Sequence, residues 1–164
     1  MLRNKSLIPL SHQHRRALAL CVRIDRAQPV HDSDLQAWQE EIEQHFEQEI
    51  KIHFTAEEST LFPAAGRFPE LVALVEELTA EHTSLRELFR QAESRCLSTG
   101  NLIAFAQQLS THIRREERQL FERLQQLMSA EELATLGTRL EVALQDTAQS
   151  CILPNEATKL RAKR

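Results

Sequence analysis

His53-Phe-Thr-Ala-Glu57-Glu-Ser-Thr-Leu61-Phe-Pro63 sets a histidine, a glutamate and a leucine at successive four-residue steps. Steps of four keep side chains on one face of an α-helix, about 40° apart around the axis and ~6 Å apart along it. Upstream the same line runs through Leu35, Trp38, Ile42, Phe46 and Glu49, so the face bearing His53 and Glu57 is otherwise largely apolar. The line Leu102, Phe105, Leu109, His112, Glu116, Leu120, Leu124 repeats the arrangement. Leu71, Val75, Leu78, His82, Leu85 and Phe89 form a third line, and Leu7, Leu10, His14, Leu18 and Cys21 a fourth. Spacings of three and four of this kind mark the core faces of helices.

Working outward, the helical stretches read as 10–27, 32–61, 70–97, 101–128 and 130–148, with Pro9, Pro29, Pro63, Gly66, Pro69, Gly100 and Pro154 falling mostly between them. Ser33 with Gln36 and Ser129 with Glu132 have capping-box spacing, and Asn101 after Gly100 is a candidate N-cap. Val and Ile are sparse and neither Asn-Gly nor Asp-Gly occurs, which argues against hairpins. The expected fold is all-α, an antiparallel up-down four-helix bundle with an additional C-terminal helix. The expected organisation is an N-terminal segment over 1–9, the helical domain over 10–148 and a basic, flexible tail over 149–164.

Each of the four long stretches therefore carries a histidine on its core face, and two add a carboxylate one turn later. Burying an unpaired carboxylate costs several kcal/mol. Counted from the connections, His53, His82 and His112 reach one height within ~6 Å, and His14 within roughly twice that. Four imidazoles and two carboxylates converging on one interior call for a shared partner, and a multivalent cation is the simplest one. The candidate metal ligands are His14, His53, Glu57, His82, His112 and Glu116. His12 lies about 200° from His14 and faces away from the core. His31 is expected at the flank of its helix and His45 as a partly exposed helix residue. Glu49 is expected as an imidazole-orienting partner, a further oxygen ligand or a salt bridge across the bundle. Glu58, Glu81 and Glu117 lie about 100° off the ligand line and are expected in solvent.

Composition closes off other classes. Twenty Lys+Arg against twenty-four Asp+Glu leave a formal charge of −4, no footprint for nucleic acid. Leu7-Ile8-Pro9-Leu10 is too short an apolar run for a signal peptide or a membrane span. Cys21, Cys96 and Cys151 are odd in number and never form a CxxC pair, so reduced thiols in a cytoplasmic protein are expected. No phosphate-binding, dinucleotide, nucleophile-elbow or zincin motif occurs. With no tyrosine in the chain, a tyrosyl radical is excluded.

The pattern resembles the hemerythrin/HHE cation-binding family. The resemblance is carried by Leu10-Ser-His-Gln-His-Arg-Arg-Ala-Leu18, by the His53–Pro63 block, by Glu81-His-Thr-Ser-Leu-Arg-Glu-Leu88 and by His112-Ile-Arg-Arg-Glu-Glu-Arg-Gln-Leu-Phe121. Ser129-Ala-Glu-Glu-Leu-Ala-Thr-Leu-Gly137 is similar to the helix that closes bacterial members, so the likeness spans roughly 8–145. It implies a non-haem di-iron centre, two Fe per chain with an oxo or hydroxo bridge. His14, His53, His82 and His112 would be terminal ligands, and Glu57 and Glu116 bridges. The ferritin type instead uses Glu-x-x-His pairs, and none occurs at any histidine here.

Two positions depart from the oxygen carriers of that family. Arg86 stands where they place a second histidine on the third helix, and Glu116-Glu117 follow His112 where they have HxxxxD. His31, His45, Glu49 or Glu81 would have to complete the shell. The implied function is binding of, or reaction with, O2, NO or peroxide in redox or iron-stress sensing or detoxification, without nucleic-acid or membrane partners. The alternatives are an iron-sensing or structural metal module without turnover, and a metal-free helical interaction module.

Overall fold

The four apolar lines become four long helices in the computed structural model, which describes residues 2–145 and 152–159. These are α1 (Ile8–Arg26), α2 (32–65), α3 (Pro69–Glu93) and α4 (99–127), followed by the shorter α5 (Ala130–Ala143). The chain is helical, and no strand occurs among the described residues. α1 packs along α4, α2 along α3, and α3 along α4, while α5 packs against the 3-10 turn Lys5–Leu7 and against 51–61 of α2.

Two of the helix starts follow from side-chain capping. Ser129 and Glu132 form the expected capping box at α5, with Glu132 N donating to Ser129 Oγ at 3.2 Å and Ser129 N to Glu132 Oε2 at 2.9 Å. At α4 the cap is Ser98 rather than Asn101: Ser98 Oγ accepts from Asn101 N at 3.1 Å. At α2 the N-cap is His31 and Ser33 already lies inside the helix. α3 ends four residues before the expected 97, because Arg95 adopts φ 58° and Cys96 N turns back to Gln91 O at 2.8 Å. α2 continues past the expected 61 and takes Pro63 into its last turn. α5 ends at Ala143, and residues 146–148 of its expected span lie outside the described residues.

Three stretches inside the long helices are π-helical: Phe46–Ile50 and Glu57–Leu61 in α2, and Glu116–Leu120 in α4. In the last two, the i+5 bond accepted by Glu57 or Glu116 widens the turn that begins at that glutamate. The wider turn ahead of Pro63 also makes room for a ring that a regular helix interior would exclude.

The apolar core is divided. Trp38, Ile42, Phe54, Phe89 and Phe105 anchor one cluster, and Leu10, Leu61, Leu78, Phe121 and Leu124 anchor the other, which α5 closes with Leu133, Leu136 and Leu140. Between them lies a layer of buried polar side chains, the six interior His and Glu positions among them. From the terminal segment, Thr158 is buried and its carbonyl accepts from Arg23 Nη1 at 3.0 Å, while residues 149–151 and 160–164 of the expected tail lie outside the described residues.

Candidate metal centre

The polar layer brings together all six residues that the spacing singles out. His14, His53, His82 and His112 are at most 4% exposed, and Glu57 and Glu116 are fully buried. Their ligand atoms form two groups of four, His14–His53–Glu57–Glu116 and His82–His112–Glu57–Glu116, each with all four atoms within 4.8 Å of one another. The glutamates belong to both groups through different oxygens. Glu57 Oε1 lies 3.1 Å from His53 Nε2 and its Oε2 3.3 Å from His82 Nε2. Glu116 Oε2 lies 3.1 Å from His14 Nε2 and its Oε1 3.3 Å from His112 Nε2.

Every imidazole presents Nε2 inward and Nδ1 outward to an acceptor on a neighbouring helix. His14 Nδ1 meets Glu117 at 2.8 Å, His53 Nδ1 meets Gln13 Oε1 at 2.6 Å, His82 Nδ1 meets Glu58 at 2.8 Å and His112 Nδ1 meets Glu81 at 2.8 Å. The pattern closes on itself: α1 supplies the acceptor for α2, α2 for α3, α3 for α4, and α4 for α1. In each case the acceptor is the immediate chain neighbour of one of the six interior His and Glu residues. Glu58, Glu81 and Glu117 are therefore not in solvent as expected, because a residue 100° off the inward line of one helix points at the next helix. Aromatic rings hold the imidazoles in place, with Phe54 stacked on His82 at 3.8 Å between centroids and Phe121 on His14 at 5.6 Å.

The three outer carboxylates are held ionised by the histidines they face together with arginines. Arg3 bonds Glu117, Arg86 bonds Glu58 with both terminal nitrogens, and Arg115 bonds Glu81. Burial raises the Glu117 carboxyl, but His14 and Arg3 outweigh it and bring it down to about 2. Glu58 and Glu81 are likewise lowered, burial being overcome by their arginine and histidine partners. Arg86, at the position where a further ligand was sought, lies outside this shell and covers the Phe54 ring at 5.4 Å. Among the other shell candidates, Glu81 serves His112 from its outer side, and Glu49 lines a cavity shared with His14 and His53. Glu49 is neutralised by Arg16 Nε at 2.8 Å, and His31 is exposed at the start of α2. His45 is buried rather than partly exposed, but beside Glu41 at 3.7 Å.

The donor set fits a cation. An Nδ1 that donates outward leaves Nε2 as an inward lone pair. Two such pairs of nitrogens stand face to face, His14 and His53 at 3.0 Å, His82 and His112 at 3.1 Å. All four carboxylate oxygens of Glu57 and Glu116 are buried without a hydrogen-bond partner. Neither arrangement is tolerable without positive charge at the centre. Against protons alone, burial lowers the His14 pKa, but Glu116 and Glu117 overcome it and push it up to about 10. His82 is raised too, mainly by Glu57, and Glu57 is held well below the usual carboxylate range by His53 and His82 against its burial. Imidazole nitrogen with carboxylate oxygen suits first-row transition metals. A cavity of about 10 Å³, lined by His14, His53, Ala17, Ile50, Phe54 and Leu109 among others, adjoins the centre. It has room for about one water-sized molecule.

Sequence reasoning did not find Gln13, Glu58, Glu81 and Glu117 as partners of the histidines. The available signal was their adjacency, on every one of the four helices, to one of the six interior His and Glu residues. A family model described as the hemerythrin HHE cation binding domain matches residues 9–124. No curated protein and no solved structure matches the chain.

Proposed function

Because the chain belongs to the hemerythrin HHE cation-binding domain family, we propose that His14, His53, His82 and His112 hold two iron ions as terminal ligands and that Glu57 and Glu116 bridge them. The frame is read as an antiparallel up-down four-helix bundle closed by α5. The observation that carries this is the set of four partnerless carboxylate oxygens in a fully buried layer, each within reach of an inward-facing imidazole. Iron bound there would supply redox and small-molecule binding chemistry that side chains lack. The residues supply the rest: four neutral imidazoles fixed by outer acceptors, two carboxylates balancing charge, and aromatic walls that limit water.

The proposed activity is binding of, or reaction with, O2, NO or peroxide, in redox or iron-stress sensing or detoxification. The cavity beside His14, His53 and His112 has room for about one water-sized molecule, which favours the smallest ligands over larger ones. Cys21 and Cys96 are free thiols, which supports a cytoplasmic setting. No helix among the described residues is long and apolar enough to cross a membrane.

The test is a metal count with an optical spectrum on protein produced with iron. About two Fe per chain, a charge-transfer band of a bridged iron pair, and spectral change on adding peroxide or NO are expected. Zinc alone, or no tightly bound metal, overturns the di-iron reading. Iron that stabilises the fold without any response to O2, NO or peroxide identifies a structural or iron-sensing module instead, since stabilisation by mass action accompanies either function.

A further inference from the structure

Among the four acceptors that orient the imidazoles, three are carboxylates and one is an amide. Gln13, itself 6% exposed, faces His53 Nδ1 with Oε1 at 2.6 Å, whereas Glu58, Glu81 and Glu117 face His82, His112 and His14. Because His53 must keep Nε2 free to ligate, its Nδ1 donates, and the Gln13 carbonyl oxygen accepts. A carboxylate acceptor gives the imidazole more negative character and makes it a stronger ligand than a neutral amide does. Glu57 and Glu116 serve both halves of the centre, each with one oxygen per half, so their contribution is common to the two. What differs is the outer shell: carboxylate and carboxylate behind His82 and His112, carboxylate and amide behind His14 and His53.

We infer that the two halves of the centre bind metal unequally: the His82–His112 half fills first and holds its ion more tightly, and Gln13 is the residue that weakens the His14–His53 half. The inference rests on the two-metal reading above. Gln13 acts as a positioning residue, through His53 and without touching the ion. The consequence is a centre with one retained ion and one exchangeable ion, set by a single amide.

The experiment is an anaerobic titration of the metal-free full chain with Fe(II) against a competing chelator, with anomalous diffraction from crystals loaded with one equivalent. Two steps alone decide nothing, since the first ion neutralises carboxylates that the second must share. The expected results are that the first equivalent lies between His82 and His112, and that Gln13→Glu tightens the second step by about 10-fold while leaving the first unchanged. General damage to the fold loosens metal and cannot produce that sign. Glu58→Gln provides the converse on the other half, about 10-fold weaker binding confined to the first step. Circular dichroism of each metal-free variant checks that it folds. A first equivalent found between His14 and His53, a second step that Gln13→Glu leaves unchanged or weakens, or a Glu58→Gln effect spread equally over both steps overturns the inference while leaving the two-metal reading intact. Failure to bind two ions at all overturns that reading, and the inference with it.

Discussion

Glu81 on α3 accepts from His112 Nδ1 on α4 at 2.8 Å, while Arg115, one turn further along α4, bonds the other oxygen of the same carboxylate. One helix thus carries both the inward-facing histidine and the cation that fixes that histidine's partner. Arg86 and Glu58 repeat the device around His82, with Arg86 one turn beyond that histidine on α3. Rotation of an imidazole would break a charge-assisted hydrogen bond and disturb an ion pair together, so the inward direction of Nε2 is set before any metal arrives.

Arg86→His follows from this placement. Arg86 reaches Glu58 at 2.7 Å from outside the ligand shell, and its side chain is 37% exposed. A histidine there is too short to bond Glu58 as the guanidinium does and sits outside the ligand layer. The substitution is expected to leave the number of bound metal ions unchanged, add no nitrogen ligand, and weaken metal binding several-fold through a looser His82. Pulsed EPR of the loaded protein counts the nitrogens. A fifth coordinated histidine would show that position 86 reaches the ions.

The inward half of the centre is legible in the sequence, and the outward half is not. His53, Glu57, His112 and Glu116 stand out because each interrupts an apolar line at a fixed step, and burial of such groups needs a physical reason. Glu58, Glu81 and Glu117 give no such contrast, since a glutamate 100° off a core line has the same sequence signature whether water or another helix lies beyond it. Only the packing of four helices around one layer turns that direction into contact. The π turns at Glu57 and Glu116 are hidden for a related reason. The side-chain steps before each glutamate fit a regular helix, and the widening appears only in the backbone bonds that follow. The side-chain cap is legible at Ser129 but not at Ser98, where Asn101 is the expected cap, and the end that the backbone makes at Arg95 leaves no side-chain signal.

Arg23 and Glu41 form a further ion pair, away from the His and Glu layer, with side chains 11% and 3% exposed. Burial raises the Glu41 carboxyl, but His45 and Arg23 more than compensate and hold it at about 2. A depressed carboxyl contributes stability that is present above its ordinary value of 4.5 and is lost as pH falls towards 2. Arg23→Ala leaves Glu41 buried without its guanidinium and is expected to cost about 3 kcal/mol, equally with and without metal. Denaturant unfolding of both forms measures it. A loss seen only in metal-loaded protein would tie the pair to the centre.

Gly137 on α5 lies under the N-terminal turn, where an added Cβ would stand 2.7 Å from Ser6 Cβ and Oγ. Gly137→Ala gains about 1 kcal/mol of helix propensity and loses about 1–3 kcal/mol to overpacking. A net loss of about 1 kcal/mol is expected. Ser6→Gly in the same chain removes Cβ and Oγ, leaves only Cα at 3.1 Å, and should recover most of the loss, which thermal unfolding of the single and double variants reads directly. A double variant no more stable than Gly137→Ala alone would show that the contact with Ser6 is not the cause.

His14 couples the centre to pH. Glu116 and Glu117 overcome the effect of burial and raise its pKa from 6.5 to about 10. A histidine raised in the folded state contributes stability that is complete below pH 6.5 and disappears as pH climbs through about 10. Metal-free protein is therefore expected to lose stability across that interval. Metal-loaded protein is expected to lack this loss, because a cation bound at Nε2 would replace the proton. The exchange has a stoichiometry: at pH 7 His14 is protonated before binding and neutral after it, so filling the centre should expel at least one proton per chain. It should also make metal affinity rise with pH by about tenfold per unit for each proton expelled. Calorimetric titration with Zn(II) in two buffers of different ionisation enthalpy counts the protons at fixed pH. His14→Gln should lower the count by about one, apart from any weakening of binding. A count of zero in the unaltered chain would mean that metal does not displace the His14 proton, and Nε2 of His14 would then not be a ligand.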